Sequence, residues 1–171
     1  MAGTVYTVAP IPHDEEHTRY VDAGAVRFGV EFRLLDDDEL AANYQGRDME
    51  QIQAAIKGNI EDNGVSVHVF GAQDGHEYLR FDMFERQPHY HYIDRSGTKN
   101  TIVEFDEVAL GDMLVWMLGQ LRTRLSAMLS HAGGEALAAN LDAKRIDAGV
   151  REVERLACEA RAALGRRHSP R

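Results

Sequence analysis

Apolar and polar residues alternate along several stretches of the chain, and this period predicts β-strands. From Val26 to Leu34 the apolar residues alternate with Arg27, Glu31 and Arg33, as in a strand with one buried face. Further strands are predicted at 65–70, 78–84, 89–94 and 101–105. Because the connections after residue 65 are too short to contain crossover helices, we expect these strands to pair antiparallel.

Other stretches have the period of a helix. Met49, Ile52, Ile56 and Ile60 recur at three- and four-residue steps, and Gly58 is placed to end that helix. A broad apolar stripe over 110–129 predicts one long helix, with an N-cap at Asp112 and an end at Gly133-Gly134. The alanine-rich stretch 143–164 predicts a last helix with apolar residues along one side.

Together these elements predict an α+β fold, in which an antiparallel sheet of about five strands has helices packed on one face. Pro10 and Pro12 disfavour regular structure near the start of the chain, so we expect residues 1–24 to be an irregular N-terminal segment. Residues 25–134 then form the α+β domain. Residues 135–171 form a basic C-terminal helix, packed either on the domain or on a partner.

Charge is distributed unevenly along the 171 residues, whose formal net charge is -9. The eight Lys and Arg side chains of residues 144–171 are interleaved with four acidic ones, a pattern typical of a solvated helix face. Binding to nucleic acid needs a concentrated positive field. We therefore expect no nucleic-acid partner.

Membrane, export and disulfide signals are also missing from the sequence. No apolar stretch is long enough to cross a bilayer, and no positively charged and apolar leader follows Met1. Cys158 is the single cysteine, which excludes a disulfide-built domain, and its place beside an apolar helix stripe predicts a buried, inert thiol. We expect a cytoplasmic protein with no membrane partner.

The face of the sheet opposite the helices must display the polar residues of every strand, and these residues are the first candidates for a site. The set contains arginines, carboxylates, a tyrosine and a histidine: Arg27, Glu31, Arg33, His68, Tyr78, Arg80, Asp82 and, depending on the register of the last turn, Glu104. This mixture is typical of a face that binds a small polar ligand or a partner. A solvated, salt-bridged sheet face is the plain alternative.

Pro88-His89-Tyr90-His91-Tyr92 is the most distinctive stretch. On a strand the histidines point to one face and the tyrosines to the other. Since tyrosines have the larger apolar surface, we expect them to face the helices and the histidines to lie on the polar face. A four-residue loop at 85–88 would place His91 opposite Asp82, although a slip of one residue would exchange the faces.

Two imidazoles on one strand and a carboxylate on its neighbour can bind a divalent transition metal. His89, His91 and Asp82 are the candidate ligands. The cupin pattern also uses His-x-His, but its glycine-rich lead and its later histidine are absent here. Hydrogen bonding and ring stacking at an interface are the alternative role for these histidines.

Three stretches resemble a family of small bacterial domains with no assigned activity: Tyr78 to Phe84, Pro88 to Tyr92, and Gly111 to Trp116 followed by Arg124-Leu125. The likeness extends over roughly residues 15–133. Because the family has no established reaction, the resemblance implies no catalytic residues.

Two functions remain open from the sequence. The first is a non-enzymatic ligand-binding or assembly module, whose polar sheet face binds a small polar ligand or a second copy of the chain. Its residues would be His68, Tyr78, Arg80, Asp82, His89, His91 and Glu104. The second is a metal-dependent enzyme with a His-x-His plus carboxylate site.

Overall fold

The computed structural model describes residues 3–55, 61–97 and 99–167, and in this part of the chain all seven strands join one sheet. The strands are β1 (Thr4–Tyr6), β2 (Arg19–Ala23), β3 (Val26–Asp36), β4 (Glu61–Gly71), β5 (Glu77–Phe84), β6 (His89–Ile93) and β7 (Asn100–Glu104). Every neighbouring pair is antiparallel, and the order across the sheet is β1-β7-β6-β5-β4-β3-β2.

Seven helices accompany the sheet in the same described ranges. They are α1 (Asp37–Asn43), α2 (Gly46–Ala55), α3 (Glu107–Leu110), α4 (Met113–Thr123), α5 (Leu125–His131), α6 (Glu135–Ala138) and α7 (Ala143–Arg167). None of these helices combines the length and the apolarity that a bilayer-spanning segment needs.

The predicted α+β class and antiparallel pairing are confirmed, but the sheet has seven strands where about five were expected. The two additional strands, β1 and β2, come from the N-terminal segment that was expected to be irregular. They pair with β7 and β3 at the two edges of the sheet. An edge strand is held by main-chain hydrogen bonds on one side only, so it can form without the apolar period that marks a central strand.

Helices α4, α5 and α7 form the layer on one face of the sheet. α7 contacts β2, β3 and β4, while α4 and α5 contact β5. Val150, Val153 and Ala157 are fully buried in this interface, and a Cβ on Gly149 would lie 2.9 Å from that of Ala23. The C-terminal helix therefore packs on its own domain. Cys158 is exposed, so the expectation of a buried thiol is wrong: the residue lies just outside the buried stripe.

The predicted long helix is interrupted at Arg124, which has φ -127° and ψ 0° and separates α4 from α5. The Thr123 hydroxyl donates a hydrogen bond to the Gly119 carbonyl (2.7 Å), a contact that bends helices. Asp112 is the N-cap as predicted, because its carboxylate accepts from the Val115 amide at 3.0 Å. The helix predicted to begin near Met49 is described only in part, because Ile56, Gly58 and Ile60 lie outside the described residues.

The polar face of the sheet is covered, and not open as the sequence predicted. Residues 7–18, here called the strap, cross this face, and a second apolar cluster joins the strap to α1 and α2. That cluster consists of Val8, Ile11, Leu40, Tyr44 and Ile52. The sheet side chains beneath it are buried: Glu31, Arg33, Ser66, His68, Arg80, Asp82 and His91. The strap can lie on charged groups because its carbonyls accept hydrogen bonds from the arginines described below.

A β-bulge in β5 changes which residues face this polar layer. Val69 pairs with Leu79 but Phe70 pairs with Glu77, so Tyr78 has no partner on β4. Tyr78 and Leu79 both join the core beneath the helices, and Glu77 takes the next place on the polar face. The expectation that Tyr78 lies on the polar face is therefore wrong, since the bulge moves the alternation by one residue.

Candidate functional site

Strand β6 presents its two histidines to the polar face, as the sequence predicts. The Tyr90 ring lies 5.2 Å from that of Trp116 and 6.0 Å from that of Phe81, both on the helical side. His89 and His91 consequently point away from the helices. The apolar surface of the tyrosines decides this orientation, because it packs against other aromatic rings.

The register across β6 differs from the expected one by two residues. His89 lies opposite Asp82 on β5 and opposite Glu104 on β7, while His91 lies opposite Arg80. The expected pairing of His91 with Asp82 is wrong because the connection between the paired residues is longer than the four residues assumed. The pair nearest the turn is Asp82 with His89, so residues 83–88 all lie between the paired segments. A shift of two residues keeps every side chain on its predicted face.

Asp82, His89 and His91 converge at one point of this face. The Asp82 Oδ2 atom lies 2.9 Å from His91 Nε2 and 3.4 Å from His89 Nε2, and the three ligand atoms all lie within 4.8 Å of one another. Ligands about 2.1 Å from one ion are roughly 3.0 Å apart at a right angle and roughly 3.4 Å apart at a tetrahedral angle. The two distances from Asp82 to the histidines fall in this range.

Each histidine is oriented by a carbonyl oxygen at its other nitrogen. His89 Nδ1 donates to the Gln87 backbone carbonyl (2.7 Å), and His91 Nδ1 donates to Asn100 Oδ1 (2.7 Å). With Nδ1 protonated, the neutral ring has its lone pair on Nε2, which faces Asp82. Second contacts of this kind fix the tautomer of metal-binding histidines.

The carboxylate is fixed in the same way. The Ser66 hydroxyl donates to Asp82 Oδ1, which leaves Oδ2 for the two imidazoles. Only 4% of the Asp82 side chain is exposed, compared with 19% for His89. Asp82 and His91 are therefore almost completely buried, and His89 is the most accessible member of the cluster.

Proton sharing among the three groups is unequal. Burial favours the neutral forms, but hydrogen bonds from both histidines outweigh it and hold the pKa of Asp82 well below its ordinary value. Hydrogen bonding to Asp82 likewise outweighs burial at His89 and raises its pKa, whereas burial lowers the pKa of His91. The Nε2 atoms of both rings thus share protons with Asp82, and a cation held by the three groups would take the place of those protons.

A second buried network lies beside the cluster. His68 is held between two carboxylates, with Nδ1 2.5 Å from Glu77 and Nε2 3.1 Å from Glu31. Arg80 donates to both oxygens of Glu77 at 2.8 and 2.7 Å. Burial opposes charge on His68, but the two carboxylates outweigh it and raise its pKa. The remaining polar atoms of Arg80 and Glu31 bond to the strap.

The strap is anchored to this network through a main-chain oxygen. The Ile11 carbonyl accepts from Arg80 Nη1 at 2.8 Å and from Arg33 Nη1 at 3.3 Å. The Tyr44 hydroxyl donates to the Ala9 carbonyl at 2.8 Å. These bonds connect the strap to β3, β5 and α1.

A cavity of about 360 Å³ opens beside the cluster of Asp82, His89 and His91. Its polar end contains the cluster itself together with Arg80, Asn100 and Glu104. Its walls are mostly apolar and come from the strap, α1 and α2, and the ends of β5 and β7. The size and the mixed lining are those of a small-molecule site.

Five of the seven residues predicted for ligand binding line this cavity: Arg80, Asp82, His89, His91 and Glu104. His68 lies in the neighbouring network, and Tyr78 lies on the helical side with its hydroxyl on Asp74. Sequence reasoning missed Ser66, Glu77 and Asn100. Alternation with His68 on β4 could have indicated Ser66, whereas no sequence period indicates the other two.

Residues 20–157 match a family described as a domain of unknown function, DUF7700. No curated protein and no solved structure matches the chain. The resemblance to an uncharacterised domain family is confirmed by this match, which covers well over half of the sequence. The protein therefore belongs to the DUF7700 family.

Proposed function

We propose that Asp82, His89 and His91 bind one divalent transition metal, and that the cavity beside it receives a small ligand at the open side of the ion. Two imidazoles and one carboxylate on one side of a metal leave other coordination positions free, as in catalytic zinc and non-haem iron sites. The function best supported by this geometry is a metal-dependent enzyme that acts on a small molecule.

One observation supports this proposal above the others: each histidine donates its Nδ1 proton to a carbonyl oxygen while its Nε2 faces Asp82. The two Nε2 atoms and Asp82 Oδ2 are therefore the atoms that share protons in this cluster, and a divalent ion can take the place of those protons when it binds. In the presence of an ion, the same atoms would all make favourable contacts. The ion would polarise a ligand or lower the pKa of a bound water to about 7.

Metal content is the first test. Chain expressed without a histidine tag and purified without chelators should contain close to one equivalent of a transition metal by mass spectrometry. His89→Ala should lose this metal, because it removes one of the three proposed ligands. We choose this variant because His89 is the most exposed of the three groups, so its removal disturbs the core least. His17→Ala removes an exposed histidine of the strap and should retain the metal.

Thermal stability is the second test. Adding Zn²⁺ to chelator-treated protein at about 1,000 times the Kd should stabilise it by about 4 kcal/mol, a rise in Tm of roughly 8–16 °C for a chain of this size. The proposal fails if the untagged protein contains no metal and Zn²⁺, Fe²⁺ and Co²⁺ leave the Tm unchanged.

A further inference from the structure

The cavity has two different ends, and their chemistry defines the ligand it can accept. One part of its lining is the apolar cluster that joins the strap to α1 and α2, namely Ile11, Leu40, Tyr44 and Ile52. The other part, around Asp82, His89 and His91, is polar. A ligand that fills the space must therefore have a polar group at one end and an apolar body at the other.

Charge at the polar end favours a negative group. The buried Glu77 is balanced by Arg80 at 2.7 Å, and Glu31 lies 3.4 Å from Arg33. Two buried carboxylates line the cavity among the described residues, Asp62 and Asp82. Asp62 accepts hydrogen bonds from backbone amides in the turn after β5, whereas Asp82 contacts the two histidines. A divalent ion held by Asp82 would carry one positive charge more than that carboxylate balances, so the loaded site would have a local net positive charge. A ligand anion would neutralise it.

Arg86 adds a positive charge at the rim of the cavity. Its backbone amide and that of Gln87 donate to the Asp62 carboxylate at 3.0 and 2.9 Å, which fixes this turn beside the cavity. Among the described residues, no carboxylate lies within ion-pair distance of the Arg86 guanidinium. Glu61 and Glu104 also reach the rim, but they are exposed and water screens their charge.

We propose that the cavity binds a small organic carboxylate, with its carboxylate at the open side of the metal and its apolar body against the wall of Ile11, Tyr44 and Ile52. Arg86 attracts the anion to the mouth of the cavity. This inference depends on the metal site proposed above. It adds the chemical class of the ligand, which the metal site alone does not define.

Cobalt-loaded protein provides a direct test, because the visible spectrum of Co²⁺ changes when a ligand enters its coordination sphere. The probes are acetate, butanoate and benzoate, with benzyl alcohol as the neutral counterpart of benzoate. We expect each acid to change the spectrum, and the affinity to rise roughly threefold to fourfold for each buried methylene. Benzyl alcohol and the metal-free protein should give no binding.

Two variants with the same change of charge separate the role of Arg86 from a general effect. Arg86→Gln should weaken benzoate binding roughly twofold to fivefold, the range of an exposed charge pair, with a smaller effect at high salt. Arg95→Gln, in the turn between β6 and β7 and outside the cavity lining, should leave binding unchanged.

The outcomes distinguish the two proposals. If cobalt binds but no carboxylate changes its spectrum, or if benzyl alcohol binds as tightly as benzoate, the ligand inference is wrong and the metal site stands. If cobalt itself does not bind, the proposed function fails. Equal losses in both arginine variants would exclude a specific role for Arg86.

Discussion

Asn100 is the most informative residue to change, because it contacts a proposed metal ligand without being one. It begins β7, is almost completely buried, and accepts the Nδ1 proton of His91 at 2.7 Å. Asn100→Ala removes this acceptor and leaves the buried His91 N–H without a partner. Asn100→Asp keeps an acceptor of the same size and adds a negative charge. The two variants therefore differ in whether His91 Nδ1 keeps an acceptor, and the aspartate also makes that acceptor negative.

The expected effect on metal affinity follows from the role of that hydrogen bond. Loss of a contact that orients a metal-binding histidine weakens binding by 10- to 100-fold, which is about 1.4–2.7 kcal/mol. Asn100→Ala should show this loss. Asn100→Asp should bind at least as tightly as the natural chain, because an acidic acceptor makes the imidazole a better metal ligand. Asn100→Ala should also lower the free energy of unfolding of the metal-free protein by about 1–3 kcal/mol, the cost of an unsatisfied buried group.

The assay is competition for Zn²⁺ against a chromophoric chelator at constant pH, with urea unfolding of the metal-free forms measured in parallel. Asn140→Ala, an asparagine between α6 and α7, is the matched control and should bind Zn²⁺ like the natural chain. The reasoning is refuted if Asn100→Ala binds Zn²⁺ with unchanged affinity, or if Asn100→Asp loses as much affinity as Asn100→Ala.

Three further predictions test the fold around the site. Glu77→Gln should lower the free energy of unfolding by about 3–5 kcal/mol in a urea titration, because Arg80 is left buried without its counter-ion; a loss below about 1 kcal/mol would contradict this ion pair. The raised pKa of His68 implies stability that is fully present below pH 6.5 and is lost as the pH rises through the folded pKa. As the pH rises from 6.5 through the folded pKa of His68, the natural chain should therefore lose stability relative to His68→Gln. Parallel curves of unfolding free energy against pH would contradict the raised pKa. Gly149→Val should lower the Tm although valine favours a helix over glycine, since its side chain meets Phe28, where even a Cβ would lie 3.1 Å away.

Much of the site could be predicted from the sequence because it depends on strand alternation. Once Tyr90 and Tyr92 are assigned to the helical side, the period of two places His89 and His91 on the opposite face. Asp82 reaches the same face by the same rule. A register error of two residues changed the cross-strand partners but not the faces, so the three proposed ligands could be identified without the correct register.

The remainder could not be predicted because it depends on features without a period. The bulge at Tyr78 exchanges this residue for Glu77 on the polar face, and the sequence around it alternates as in a regular strand. The strap is held by the carbonyl of Ile11, a group that every residue possesses. Asn100 sits at the start of β7 after a turn, where one residue more or less decides its face.

The buried charges themselves argue for a function beyond stability. Replacing a buried ion pair by apolar groups of the same size is often neutral or stabilising, so Arg80 and Glu77 are a poor means of holding the sheet to the strap. They do, however, anchor Ile11 above the polar face, where Asp82 and His91 are almost completely buried. Electrostatic interactions are stronger between buried groups than in water. A chain that needed only a stable sheet would place apolar residues beneath the strap, as it does in the cluster around Tyr44. The proposed metal and ligand would explain the charged half of the face better than the packing of the fold does.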